Sequence, residues 1–121
     1  MTPAEAAELL TCISVYDNRE VNRPTAGAWA ATLPDVSLAD ALAVLPDYYR
    51  AATRTSRNWI YPGDVLGLVA ARHERLRAEA LRDVWDREEA LGTDRATIVR
   101  LAAAAEKAAV PVPVRAVEAS A

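Results

Sequence analysis

One apolar stripe constrains this chain more than any other feature. Val65, Val69, Leu76, Ala80, Val84 and Leu91 follow one another at spacings of 4, 7, 4, 4 and 7, which keeps them on one side of a helix. Pro62 and Asp64 open the segment, because proline is tolerated in a first helical turn. Gly92 closes it, because glycine takes the left-handed conformation that ends helices. A helix from Pro62 to Leu91 is about 45 Å long. A domain of this size has a radius of gyration of about 13 Å, so the helix overruns any core its neighbours can build. The first part, to about Leu76, is expected to pack, and the rest to project, kink or fold back on a later helix.

The remaining pattern is helical as well. Alanine supplies 27 of the 121 residues, and it loses no side-chain entropy in a helix. Thr2, Pro3 and Glu5 read as a capping box that starts a helix from Pro3 to Tyr16, with Ala6, Leu9, Leu10, Ile13 and Tyr16 inward. Asp17-Asn18-Arg19 breaks that pattern. Asn22 and Arg23-Pro24 open a short second helix to about Leu33, with Trp29 as a core anchor among alanines. Ser37 and Asp40 start a third helix, which turns Leu38, Leu42, Leu45 and Tyr49 inward. Thr93 reads as the cap of an alanine-rich last helix from Asp94 to about Ala109, and the tail PVPVRAVEAS as extended and mobile. The expected fold is all-α: a compact bundle of three short helices packed on a long fourth, with a C-terminal alanine-rich helix and a mobile tail. Residues 1–77 form the bundle, 78–109 a helical extension and 110–121 the tail.

Several function classes lose their footing. Cys12 has no second cysteine to bridge and reads as a small buried hydrophobe, and His73 cannot join it in a zinc site at a standard spacing. None of Gly27, Gly63, Gly67 and Gly92 belongs to a phosphate-cradling G-x-x-x-x-G-K-[ST], and no serine lies in G-x-S-x-G. His73 sits among Arg72, Glu74 and Arg75, where a solvated or ion-paired imidazole is the simplest reading. The expectation is therefore no enzyme, no cofactor and no metal. No run of about 18 apolar residues is present, and no basic stretch precedes an apolar one at the start, so a cytoplasmic protein without membrane contact is expected. A net charge of −3 gives no global attraction to nucleic acid.

Two local constellations remain. From Arg72 to Glu89 five arginines meet six acids, the signature of a solvated helix laced by ion pairs. Leu81, Val84 and Trp85 add an apolar edge beyond the expected core, and with Arg72 and Arg75 they make the candidate partner-binding face, since Trp and Arg are enriched at hot spots. The second constellation is Arg50, Arg54 and Arg57 among Tyr48, Tyr49, Trp59 and Tyr61, a pattern able to follow phosphates and stack bases. Its plainer reading has the aromatics filling the core while the arginines solubilise a loop.

The order of these features resembles the small phage replicative helicase loader/inhibitor family. The residues are Ala-Glu-Leu-Leu in the first helix, Trp29 then Leu33, Asp40-Ala-Leu-Ala-Val, Tyr48-Tyr49, and Ile60-Tyr-Pro-Gly-Asp-Val65 opening an arginine-rich helix. The resemblance covers about residues 3–77 and rests on spacing of common residues. It implies core roles for Trp29, Tyr49 and Ile60, a helix start at Pro62 and Asp64, and a C-terminal portion that engages the replicative helicase hexamer, often together with a replication initiator protein. It also implies a protein without ATPase activity that loads or restrains the helicase. From Arg77 onward the chain departs from the family pattern, so the contact is placed by position alone on Arg75, Leu81, Val84 and Trp85. The alternatives are a small DNA-binding regulator using Arg50, Arg54 and Arg57, and a structural protein that forms a homodimer through the Trp85 edge.

Overall fold

A computed structural model describes residues 1–51 and 59–110, and all regular structure in them is helical. The order is α1 (Pro3–Asp17), α2 (Arg23–Thr32), α3 (Leu38–Ala51), α4 (Pro62–Ala90) and α5 (Arg95–Ala108). The expected all-α architecture is present. The tail that was expected to be mobile lies outside the described residues, as do Arg54 and Arg57.

Each helix start has a local cause. The Thr2 hydroxyl accepts from the Glu5 N–H at 3.1 Å, and the Glu5 carboxylate accepts from the Thr2 N–H at 2.8 Å, completing the capping box. Asn22 caps α2 by accepting from the Thr25 N–H at 2.9 Å, and Ser37 caps α3 by accepting from the Asp40 N–H at 3.1 Å. At α4 the Asp64 carboxylate reaches back to the Tyr61 N–H at 2.8 Å, which is half of a capping box with no hydroxyl partner. α3 continues through Pro46, which lacks the N–H that its turn of helix would use.

The chain divides into two compact units, one built on Met1–Val69 and the other on Ala70–Val112. In the first, α1 lies against both α2 and α3. Leu9, Leu10 and Ile13 of α1 are fully buried together with Leu33, Ile60 and Val65. Each such side chain contributes about 1.5–3 kcal/mol by leaving water. Trp29 fills the space between alanines, and the first turns of α4 add Val65 and Val69 to the same core. Cys12 is exposed, against the expectation of burial, because it falls outside the arc of α1 that Ala6, Leu9, Leu10 and Ile13 turn to the core.

The second unit is made of the rest of α4 and α5. α4 ends in a Schellman turn: the Thr93 N–H donates to the Glu88 carbonyl and the Gly92 N–H to the Glu89 carbonyl, both at 3.0 Å, with Gly92 at φ +75°. Thr93 therefore belongs to the end of α4. The cap of α5 is Asp94, whose carboxylate accepts from the Thr97 N–H at 3.0 Å. These hydrogen bonds hold the exposed Asp94 carboxyl below its ordinary range. Leu91, expected on the inward stripe, is exposed because the helix has already ended when the chain reaches it. Val84, Ile98 and Ala102 are the buried residues of this unit among the described ones. Four residues separate the two helices.

Gly92→Ala is expected to destabilise the second unit by about 1 kcal/mol. A Cβ at Gly92 meets no atom within 4 Å, so the cost comes from the left-handed backbone alone. Chemical denaturation of the variant checks it, and an unchanged midpoint would mean the turn relaxes freely.

Candidate functional site: an aromatic face on a buried ion pair

The segment after α1 looks like a pattern break in the sequence, and in the fold it is the base of a site. Asn18 takes the left-handed conformation at φ 57°, and its N–H donates to the Ser14 carbonyl at 2.8 Å. The Arg19 N–H then donates to the Asp17 carboxylate at 3.1 Å, a side-chain turn that folds the chain back on itself. Arg19 Nε donates to the other Asp17 oxygen at 2.8 Å, and the terminal nitrogen of the guanidinium pairs with the same atom. The two side chains are only 6% and 7% exposed, so this ion pair is buried.

Two indoles cover the guanidinium. Its carbon lies 4.2 Å from the centroid of the Trp59 ring and 5.6 Å from that of Trp29. Trp29 belongs to the core, whereas Trp59 remains 42% exposed. Arg19 thus ties the α1–α2 turn to the segment that leads into α4. Trp59 was weighed as a core residue on the plainer reading of the arginine–aromatic loop. Instead it has one face on a cation and is partly exposed.

Tyrosines continue the aromatic surface. Tyr16 was expected inward on the α1 stripe but is 52% exposed, in the last turn of the helix. Its ring stacks on Tyr49 at 4.0 Å with 7° between the planes, and Tyr48 meets Tyr49 edge-on at 5.0 Å. Tyr61, 59% exposed, stands beside Asp64 at the start of α4. Val15 and Leu66 are exposed as well.

The Tyr49 hydroxyl is buried without a hydrogen-bond partner. Burial first and the Asp17 carboxylate second push its phenol up to about 12, while Arg19 opposes them. Tyr48 is raised by its own burial and by Asp64. Raised folded values mean that this contribution to stability is complete below pH 10 and is lost as the pH climbs from there through about 12. Tyr49→Phe removes an unsatisfied hydroxyl and is expected to stabilise the protein by about 1 kcal/mol. It should also abolish part of the alkaline loss. Urea titrations at neutral pH and at pH 11 check both signs, and a destabilised Tyr49→Phe protein would show that the hydroxyl has a partner.

The other residues singled out in the sequence fall elsewhere. Arg50 is exposed and lies 3.4 Å from the Asp47 carboxylate, so its charge is partly matched. Arg72, Arg75, Leu81, Val84 and Trp85 all lie in the second unit. Val84 is buried, which removes it from the expected exposed edge, because the chain turns back after Gly92 and α5 makes a compact unit with this part of α4. Leu81 and Trp85 are half-buried, Arg72 is half-buried, and Arg75 is exposed. The Trp85 ring receives Arg95 of α5 at 6.0 Å. Among the described residues no group of His, Cys, Asp and Glu is placed to hold a metal ion, and no helix is long and apolar enough to cross a membrane.

Sequence reasoning missed the Asp17–Arg19 pair. The signal was present as an acid at the C-terminus of a helix, where the dipole disfavours it, followed two residues later by a base. No family model, curated protein or solved structure matches this chain.

Proposed function

We propose that this chain is a non-enzymatic adaptor that docks another protein on the aromatic face of its first unit. The resemblance to the helicase loader/inhibitor family names the partner of this proposal: a replicative helicase hexamer of a phage or mobile element, with an initiator protein as a further partner. The observation that carries the docking reading is Trp59, a large exposed indole fixed from beneath by a buried guanidinium. A side chain that is already ordered loses less freedom on binding, so more of its burial is expressed as affinity. Trp and Tyr dominate interface hot spots for the same reason.

Such an adaptor acts by binding energy alone. It shifts a helicase ring between open and closed states only through a difference in its affinity for them. Of the DNA-binding alternative's three arginines, Arg50 lies beside Asp47, and Arg54 and Arg57 lie outside the described residues. Light scattering of the protein alone and mixed with the replicative helicase of its host tests the proposal. A complex of defined mass with the hexamer supports it, and the stoichiometry separates loading at one ring position from blocking around the ring. A stable dimer that ignores the helicase would favour the self-association alternative.

A further inference from the structure

The charge of the chain is unevenly distributed. Residues 1–69 hold eight carboxylates against five arginines, while residues 70–110 hold eight acids and eight bases. The whole net charge of −3 therefore belongs to the segment that carries the aromatic face. One of its arginines, Arg19, is already neutralised inside the buried pair. Asp64 stands at the Tyr61 end of the face, and Asp47 beside Arg50 at the end of α3.

The inner side of Trp59 already holds a guanidinium. Asp17 cancels that charge, so the outer side of the indole keeps its attraction for a second cation. Tyr16 and Tyr61 offer further ring surface with carboxylates in the same unit. Phosphates are repelled by this field, whereas ammonium and guanidinium groups are drawn to it.

We infer that the face formed by Tyr16, Trp59 and Tyr61 docks a protein segment that presents arginine or lysine side chains beside apolar ones. This names the kind of partner for the face and rests on the adaptor reading above. In the complex, apolar side chains cover Tyr16 and Tyr61, a cation stacks on the outer face of Trp59, and a neighbouring base approaches Asp64. The electrostatic part weakens with salt and the aromatic part does not.

The test uses the full chain and two fluorescent helical peptides with identical leucine positions, one carrying arginine at its polar positions and the other glutamate. Anisotropy titrations are expected to show the arginine peptide bound about tenfold more tightly than the glutamate peptide, with the gap narrowing in high salt. Trp59→Ala, checked for retained helicity by circular dichroism, is expected to weaken the arginine peptide about tenfold. Asp64→Asn should lower its affinity while leaving a purely apolar peptide unaffected. Equal binding of the two peptides, binding of neither, or a Trp59→Ala protein with unchanged affinity would overturn the inference. A single-stranded oligonucleotide bound more tightly than either peptide would overturn it in favour of nucleic acid. Failure here alongside an intact helicase complex removes only the chemistry assigned to the partner, whereas loss of the helicase complex removes the adaptor itself.

Discussion

Asp17→Ala is expected to destabilise the protein by about 3–5 kcal/mol, because it leaves the Arg19 guanidinium buried without its counter-charge. The indoles of Trp29 and Trp59 still touch the cation, but they cannot accept the hydrogen bonds that Asp17 accepts from Arg19. Arg19→Met carries the opposite defect, a buried carboxylate at the C-terminal end of α1 where the helix dipole already disfavours it. The double variant Asp17→Ala with Arg19→Met should cost less than either single one, since both charges leave together. Urea denaturation of the four proteins completes the cycle. A cost below about 1 kcal/mol for Asp17→Ala would place the pair with exposed salt bridges and remove the fixed base beneath Trp59.

Leu10→Ala is the second large effect, expected at about 2–5 kcal/mol. Leu10 is fully buried on the face of α1 that serves the core, and α1 is the helix against which both α2 and α3 pack. The truncation leaves a cavity in the core of the first unit. Cys12→Ala, two residues along the same helix, is expected to change stability by no more than about 0.5 kcal/mol because it is exposed. Thermal denaturation of the pair separates the two faces of α1, and similar losses in both variants would mean that Cys12 is packed.

The helices were legible because their signals are local. The Thr2–Glu5 capping box, the Asn22 cap and the Ser37 cap appear in the fold as read. The stripe through Val65, Val69 and Val84 supplies buried residues in both units. Errors gathered at helix ends, where spacing no longer decides what covers a side chain. Tyr16 and Leu91 both fit a helical period, yet Tyr16 lies in the last turn of α1, Leu91 follows the end of α4, and both are exposed. The cap of α5 was placed one residue early because Thr93 and Asp94 are both good caps, and the Schellman turn claims the first of them.

The site was only half legible. Clustering of Tyr48, Tyr49, Trp59 and Tyr61 near Arg50 was plain in the sequence. The arginine that organises them is Arg19, about 40 residues earlier and inside what read as a break. Pairing across that separation depends on tertiary packing, which carries no sequence period. The candidate edge on Leu81, Val84 and Trp85 lies in the second unit. Its apolar character serves the second unit, where Val84 is buried and Trp85 meets Arg95.

The two faces make opposite demands on one measurement, the affinity of the chain for the replicative helicase compared across two sets of variants. If the aromatic face is the docking surface, Trp59→Ala with Tyr61→Ala loses the complex, while Leu81→Asp and Trp85→Ala, where they remain folded, retain it. Retention of the complex in the Trp59 and Tyr61 variant, with loss on changing Trp85, would contradict the account and return the contact to the second unit.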